Sequence, residues 1–278
     1  MKLAFSKMSG AGNDFVVLDA KDLPKNSRTT RGLSRLAPRL CARRSGIGAD
    51  GILILERFGS ARPRLKYFNA DGSEAFCGNG ARCAAWWIHQ KGWANGKELQ
   101  FASDAGLLEA RIISAGPPPR VAIHMPNPRS VRLSLGVTAL GKRLAVHSIN
   151  TGVPHAVLEV AGLAKLESFP VVELGRALRR HRAFSPAGTN VNFVVFGPKA
   201  VTVRTYERGV EDETLACGTG ATASALTACL LDAARSPVSV RVRGGATLTV
   251  SFKRKDFSFS DVWLEGPAEL TFSGEVDL

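Results

Sequence analysis

Two short stretches of this 278-residue chain decide its fold, and they resemble each other. They are Glu74-Ala75-Phe76-Cys77-Gly78-Asn79-Gly80-Ala81 and Thr214-Leu215-Ala216-Cys217-Gly218-Thr219-Gly220-Ala221. The two cysteines differ by 140 in residue number (217 minus 77). A repeated motif at a long spacing is a first indication of internal duplication.

Further correspondences have the same offset. Gly12 and Val17 correspond to Gly152 and Val157, and the segment 48–50 (Gly-Ala-Asp) corresponds to 188–190 (Gly-Thr-Asn). Three correspondences at one offset, in the same order, indicate two homologous halves with equivalent cysteines.

The residues around each cysteine predict a strand, a turn and a helix. Leu65–Phe68 and Val201–Tyr206 have strand character, whereas Gly80–Ile88 and Ala221–Arg235 have helical character. Both predicted helices consist of small and apolar residues on nearly every side, which is typical of helices buried all round. Other short segments predict strands: Val191–Phe196, Val238–Val242, Thr247–Phe252 and Ala268–Phe272. We therefore predict an α/β (α+β) fold of two pseudo-symmetric domains, each a curled, mainly antiparallel sheet around a central buried helix.

The composition excludes several classes of protein. Hydrophobic residues make up 45% and charged residues 22%, as in globular proteins. Neither a membrane-spanning run of apolar residues nor a signal-peptide core is found, so we expect a cytoplasmic protein. Five cysteines without a C-x-x-C pair, and five scattered histidines, indicate reduced thiols and no metal site.

The net charge of +13 raises the alternative of a nucleic-acid-binding module. Much of this charge lies between Arg28 and Arg64, where leucines recur at helical spacing. The arginines among them can form a solvated outer face of a helix: Arg31, Arg35, Arg39, Arg43 and Arg44. Because no RNA-recognition motif or zinc finger accompanies them, we predict neither a nucleic-acid nor a membrane partner.

A cysteine at the start of a buried helix is placed for chemistry. The N–H groups of the first turn form an anion site, so a substrate carboxylate could bind at Gly78, Asn79, Gly218 and Thr219. The same helix end lowers the pKa of a thiol from ~8.5 toward neutrality, as acid/base catalysis requires. Two such thiols on opposite faces of one carbon could remove a proton from one face and deliver one to the other.

Other interpretations of the cysteines and glycines are weaker. Cys41, Cys83 and Cys229 are expected to be small buried side chains, and no resolving cysteine supports redox use. The segment Gly46–Gly51 satisfies G-x-G-x-x-G, yet a helix-like segment precedes it and the strand Ile52–Leu55 follows. The dinucleotide motif has the opposite order, so we predict a turn and no nucleotide.

The chain resembles the diaminopimelate epimerase family. The resemblance rests on the segment 69–83, on Tyr206–Gly209 with 216–221, and on the opening segment 5–15. It implies a two-domain fold with the last strand returning to the first domain: 1–119 plus 266–278, and 120–265. It also implies interconversion of LL- and meso-diaminopimelate without pyridoxal phosphate or metal, for lysine and peptidoglycan precursors.

The resemblance also implies roles for individual residues. Cys77 and Cys217 would be the acid/base pair, and His155 would tune or orient a thiol. A further set would recognise the distal end of the substrate or line the cleft: Asn13, Asn69, Asn192, Glu207 and Arg208. Glu207, which we count among the catalytic candidates as well, could pair with an ammonium group, and Arg208 offers a forked donor to a carboxylate.

The chain departs from the family pattern at several positions. Val153 stands where many members have asparagine, and Gly51 stands where some have glutamine. The spacings between Ser73 and Cys77 and between Gly209 and Cys217 also differ from the pattern. These departures concern recognition of the distal end, so a two-cysteine racemase acting on proline-like amino acids is the nearest alternative. The expected partner is a small-molecule amino acid, and a homodimer is compatible with the sequence.

Overall fold

The structure, a computed structural model, describes residues 2–59, 61–74, 76–197 and 199–278, so Ala75 of the first motif lies outside it. The chain divides into two compact units, Met1–Ile123 with Gly266–Leu278, and His124–Glu265. We predicted a boundary after residue 119, whereas the first unit extends to Ile123. The difference arises because the strand Arg120–His124 pairs with a strand of the first unit.

The first unit contains eight strands and two α-helices in its described residues, in addition to 3₁₀ turns at Ala20–Asp22 and Lys25–Ser27. The elements are β1 (Lys2–Gly10), β2 (Asn13–Asp19), α1 (Thr30–Cys41), β3 (Gly51–Glu56), β4 (Arg64–Asn69), α2 (Gly78–Gln90), β5 (Glu98–Ser103), β6 (Gly106–Ser114), β7 (Arg120–His124) and β17 (Glu269–Asp277).

The strands of the first unit follow one another in a mixed sheet. β17, β1 and β2 pair antiparallel, β2 and β3 parallel, β3 and β4 antiparallel, and β4 and β5 parallel. β5, β6 and β7 then continue antiparallel. Each parallel pair needs a crossover, and α1 and α2 supply the two crossovers. Since α2 contacts β1, β2, β3, β4 and β6, the sheet curls around this helix.

The second unit contains nine strands and three α-helices in its described residues, with a 3₁₀ turn at Arg182–Phe184. They are β8 (Arg129–Ala139), β9 (Lys142–Asn150), β10 (Pro154–Glu159), α3 (Leu163–Glu167), α4 (Val171–Arg179), β11 (Asn190–Phe196), β12 (Val201–Glu207), β13 (Asp212–Thr214), α5 (Gly218–Leu230), β14 (Val238–Arg241), β15 (Thr247–Lys255) and β16 (Ser258–Pro267).

The second unit repeats the pairing order of the first. β8, β9 and β10 pair antiparallel, β10 and β11 parallel, β11 and β12 antiparallel, and β12 and β14 parallel. β14, β15 and β16 continue antiparallel, and α5 contacts β9, β10, β11, β12, β14 and β15. The predicted α+β fold of two repeated domains, each built around a buried helix, is confirmed.

The two central helices end in the same way. Trp93 N–H donates to the carbonyl of residue 88 and Ala233 N–H to that of residue 228, which closes a Schellman motif in each unit. The left-handed residue of the motif is Gly92 (φ 63°) in α2 and Asp232 (φ 56°) in α5. Our prediction that the second helix runs to Arg235 was wrong, because this motif ends α5 at Leu230.

The other sequence predictions for elements match the structure. The predicted strands lie within β3, β4, β11, β12, β14, β15 and β17 to within one or two residues. Leu33, Leu36 and Leu40 of α1 are buried, whereas Arg31 and Arg35 are exposed. Among the residues that the structure describes, no helix combines the length and hydropathy needed to cross a membrane.

Candidate active site

Cys77 lies at the beginning of the central helix of the first unit. It is the N-cap residue of α2, in extended conformation, and its Sγ accepts a hydrogen bond from Gly80 N–H at 3.5 Å. The thiol is half-buried, whereas Asn79 is only 2% exposed. The thiol therefore lies at the positive end of the helix dipole, beside the first-turn N–H groups.

A chain of directed hydrogen bonds extends from this helix turn. Arg82 Nη2 donates to Asn79 Oδ1 at 2.7 Å, and Asn79 Nδ2 donates to Asn13 Oδ1 at 2.5 Å. Asn13 Nδ2 donates to Asp50 Oδ2 at 2.9 Å, and Asp50 Oδ1 accepts from Arg43 Nη2 at 2.7 Å. Because a guanidinium only donates and a carboxylate only accepts, both amides have a fixed orientation. Two predicted site residues, Asn13 and Asn79, are thus in direct contact.

A buried lysine, Lys7, stabilises the acidic end of this hydrogen-bond network by contacting the neighbouring carboxylate of Asp14. Lys7 Nζ donates to Asp14 Oδ2 at 2.7 Å and to the carbonyl of Gly48. Burial alone would raise the pKa of Asp14, but hydrogen bonds from Arg43 and Lys7 outweigh it and lower this pKa. Arg43 is exposed, as predicted for a residue of a solvated face. It is also part of this network, because its guanidinium donates to the carboxylates of Asp14 and Asp50.

Arg82 is a fully buried cation beneath the first turn of α2. Its Nε donates to the carbonyl of Pro267 at 3.5 Å, and its Nη1 has no hydrogen-bond partner among the described residues. Burial lowers the pKa of Arg82 to about 10, so it stays protonated at neutral pH. The equivalent position of the second repeat holds Thr222, whose hydroxyl donates to Gly218 O at 3.0 Å. The surroundings of the two cysteines therefore differ in charge.

Asn69 lies at the end of β4, opposite Gly51 of β3. Its Oδ1 accepts from Tyr67 Oη at 2.7 Å, and its Nδ2 donates to Ser73 Oγ at 2.9 Å. The segment Gly46–Gly51 forms the predicted turn between α1 and β3, which confirms the order of helix, turn and strand.

Cys217 is the equivalent N-cap residue of α5 and is 6% exposed. Its Sγ lies 3.5 Å from Thr219 Oγ1, and the backbone carbonyl of Thr219 accepts from Thr151 Oγ1 at 2.9 Å. A Cβ at Gly220 would clash with Asn192 Oδ1 and would lie 3.3 Å from Cys217 Sγ. The thiol and the Asn192 amide therefore flank the same glycine.

Asn192 and His155 are fully buried and in contact. Asn192 Nδ2 donates to Ala156 O at 2.9 Å and lies 3.0 Å from His155 Nδ1, while Asn192 Oδ1 accepts from Thr205 Oγ1 at 2.9 Å. Since an amide nitrogen only donates, His155 Nδ1 must accept, and the proton of the neutral ring is on Nε2. Burial lowers the pKa of His155 to about 3, with a smaller contribution from the charge of Arg208.

The Nε2–H group of His155 is buried and has no hydrogen-bond partner among the described residues. A buried donor without a partner costs free energy, and such groups are concentrated where a ligand or a reacting group completes the bond. The ring is therefore a neutral donor that can serve an anion.

Glu207 and Arg208 follow one another at the end of β12. Glu207 Oε2 accepts from Thr214 Oγ1 at 2.8 Å, and Arg208 Nη1 donates to Ala187 O at 3.2 Å. The backbone N–H of Arg208 donates to Asn190 Oδ1 at 2.8 Å. Both residues are only partly buried, so their side chains are partly accessible to solvent.

Several residues of the site were not assigned a role from the sequence, among them Arg82, Asp50 and Tyr67. Arg82 carries a usable signal, because it is a lone cation in a helix of small and apolar residues. Asp50 stands in a repeated segment, at the position equivalent to Asn190 in the other half. That equivalence could have indicated Asp50 as a site residue. Tyr67 carries no such signal, since it simply alternates within a strand. Cys41, Cys83 and Cys229 are buried, as predicted.

Comparison with known proteins identifies the family of this chain. The diaminopimelate epimerase family model matches residues 5–131 and 147–269. A diaminopimelate epimerase of Aquifex aeolicus is 38% identical over 282 residues, with 99% of this chain and 98% of that protein covered.

Solved structures agree in fold at much lower identity. A phenazine biosynthesis protein of the PhzF family from Bacillus anthracis has a TM-score of 0.76 and 13% identity, with 100% of each chain covered. A hydroxyproline epimerase from Agrobacterium vitis has a TM-score of 0.71 and 17% identity, with 99% of this chain and 91% of that chain covered. The fold is thus shared by enzymes with different substrates, and only the sequence match distinguishes among them. By that match the chain belongs to the diaminopimelate epimerase family, and it is an isomerase, an epimerase of lysine biosynthesis.

Proposed function

We propose that this protein interconverts LL-2,6-diaminopimelate and meso-diaminopimelate, with Cys77 and Cys217 as the two acid/base groups at the α-carbon. One thiolate removes the α-proton, and the thiol of the other cysteine delivers a proton to the opposite face. Neither pyridoxal phosphate nor a metal ion is part of the proposal. The product would serve lysine and peptidoglycan precursor synthesis in the cytoplasm.

The observation that carries this proposal is the position of both thiols. Each is the N-cap residue of a helix that is buried along its length, and each is followed by a glycine. First-turn N–H groups of such a helix bind an anion without reorganisation, and they could hold the substrate carboxylate at Gly78 and Asn79 and at Gly218 and Thr219. A held carboxylate would stabilise the negative charge that develops when the α-proton leaves.

His155 supports the proposal through its tautomer. Because Nδ1 accepts from Asn192, the Nε2–H group is the donor that remains. A neutral imidazole N–H can donate to a thiolate or to a carboxylate without adding a full charge to a buried site. We propose that His155 gives this hydrogen bond near Cys217, and that Asn192 acts by orienting His155 rather than by reading the distal end directly.

The charged pair Glu207 and Arg208 would bind a second amino-acid head. A carboxylate suits the distal ammonium and a guanidinium suits the distal carboxylate, whereas a proline-like substrate has neither group. Asn13 and Asn69 would add hydrogen bonds on the first unit. This difference, together with the family match, favours diaminopimelate over the proline-like substrates of the alternative.

The test is an assay of the purified protein on LL-diaminopimelate in deuterium oxide, without added cofactor. We expect meso product with solvent deuterium at the α-carbon. Cys77→Ser and Cys217→Ser should each lower kcat by at least about a thousandfold, because a hydroxyl is a far weaker acid than a thiol and does not ionise near neutral pH. Cys229→Ser is the matched control, since Cys229 Sγ contacts Arg254 Nη1 at 3.5 Å and lies at the far end of α5.

Two results would overturn the proposal. An active Cys217→Ser variant would contradict a mechanism with two thiols. Turnover of proline enantiomers without turnover of diaminopimelate would contradict the substrate. We also propose a homodimer, and sedimentation of the purified protein measures that assembly independently of activity.

A further inference from the structure

Tyr67 is one of only two tyrosines in the chain. It lies on β4, two residues before Asn69, so both side chains are on the same face of the sheet. The ring is 9% exposed and packs edge-to-face against Phe15, with 6.0 Å between the ring centroids. Phe15 and β4 both adjoin α2, the helix that begins after Cys77.

The hydrogen bonds around Asn69 have one possible direction. Asp71 Oδ1 accepts from Ser73 Oγ at 2.6 Å and from Ser73 N at 2.8 Å, and these bonds lower the pKa of Asp71. An ionised carboxylate only accepts, so the Ser73 hydroxyl proton points to Asp71 and its oxygen accepts from Asn69 Nδ2. Asn69 Oδ1 must then accept from Tyr67, and one N–H of the carboxamide is left for another partner.

Gly51 makes room for the tyrosine ring. A Cβ at position 51 would lie 2.5 Å from Tyr67 Cε2 and 2.9 Å from Tyr67 Oη, far inside van der Waals contact. A larger side chain at this position would need the space that the ring occupies. Gly51 and Tyr67 are therefore complementary in size, and the Tyr67 hydroxyl places a polar group beside Gly51.

We propose that Tyr67 is a positioning residue that sets specificity at the distal end of the substrate. Its hydroxyl fixes the Asn69 carboxamide so that the remaining Nδ2–H faces an acceptor on the substrate, and its ring occupies the space beside Gly51. The inference rests on the proposed function in one respect, namely that Asn69 contacts the substrate.

Tyr67→Phe tests the inference because it removes one oxygen and keeps the ring. We expect KM for LL-diaminopimelate to rise by about 2- to 10-fold, which is the net effect of one lost hydrogen bond, while kcat changes by less than about twofold. In an Asn69→Ala background the same substitution should have no further effect on KM, because Tyr67 acts through Asn69.

Tyr206→Phe is the matched control. Tyr206 is fully buried in the second unit and its hydroxyl donates to Glu211 Oε2 at 3.2 Å, so the same atom is removed from a different hydrogen bond. This control should lower the denaturation midpoint and leave KM unchanged. A purely structural role for Tyr67 would give the same pattern as the control.

A second measurement does not need turnover. The Asn69 side-chain amide resonances of 15N-labelled protein should shift, and their hydrogen exchange should accelerate, in Tyr67→Phe but not in Tyr206→Phe. Wild-type KM in Tyr67→Phe, or additive effects with Asn69→Ala, would overturn the inference. A wild-type enzyme inactive on diaminopimelate would instead overturn the proposed function, while the resonances would still decide whether Tyr67 positions Asn69.

Discussion

The buried histidine gives a prediction whose size follows from the structure. His155 is fully buried with a folded-state pKa of about 3, whereas an unfolded histidine has a pKa of about 6.5. Between these two values the unfolded chain binds a proton that the folded chain does not. The free energy of unfolding must therefore fall as the pH is lowered below about 6.5, and the loss must level off near pH 3.

The magnitude at an accessible pH is large. At pH 4.5, about two pH units below the unfolded-state pKa, protonation of this one side chain stabilises the unfolded state. The free energy of unfolding is thereby lowered by about 2.7 kcal/mol at 25 °C. At pH 7.5 the same contribution is below about 0.1 kcal/mol. With a total stability of roughly 5–15 kcal/mol for a protein of this kind, the change is readily measurable.

The perturbation is His155→Asn. The carboxamide oxygen of asparagine can accept from Asn192 Nδ2 in place of the ring Nδ1, but the side chain does not titrate. We expect the variant to be less stable than wild type at pH 7.5, because a cavity replaces part of the ring. That difference should shrink by about 2.7 kcal/mol between pH 7.5 and pH 4.5.

Urea denaturation followed by tryptophan fluorescence, at several pH values from 4.5 to 7.5, measures both stabilities. Subtraction of the two curves removes the titration of every other group, including His147, whose pKa burial also lowers. A constant difference across this range would refute the reasoning. It would mean that the pKa of His155 is the same in the folded and the unfolded protein, so that burial does not keep the ring neutral.

Three other predictions follow from burial, close packing and backbone conformation. Burial raises the pKa of Cys41 and of Cys83 to about 12, so iodoacetamide at pH 8 should leave both unmodified in folded protein and label both in urea, as peptide mass spectrometry would show. Gly10→Ala should lower the free energy of unfolding by about 1–3 kcal/mol, because the added methyl would lie 2.8 Å from a backbone oxygen of α2 and 3.1 Å from Cys83 Sγ; an unchanged urea midpoint would contradict this. Asp232→Gly should raise the melting temperature through a stability gain of about 0.5–1 kcal/mol, because this residue has the left-handed conformation that Gly92 has in the other repeat.

The environments of the two cysteines show how far a repeat determines chemistry. Both units place a cysteine before a buried helix, but Arg82 lies under one helix turn and Thr222 occupies the equivalent position in the other. The duplication thus preserved the backbone and the thiols while the neighbouring polar groups diverged. A buried guanidinium interacts with its surroundings far more strongly than a hydroxyl does, so equivalence of position does not imply equal acidity.

The sequence by itself determined the features that depend on local pattern. The 140-residue repeat, the strand before each cysteine, the small-residue helix after it and the buried character of that helix all follow from residues that are neighbours in the chain. Hydrophobic periodicity and the positions of glycines indicate such features directly. The early end of α5 at the left-handed Asp232 was missed because this position lacks the glycine of its counterpart, Gly92.

Only the tertiary structure decided which polar groups meet. Asn79 and Asn13 are 66 residues apart in sequence, and Asn192 and His155 are 37 apart. Such contacts depend on strand register, where a shift of one residue would turn a side chain to the opposite face of the sheet. For this reason the sequence could identify Cys77 and its repeat partner as candidates, whereas the neutral tautomer of His155 and the fixed amide of Asn69 emerged only from the packed structure.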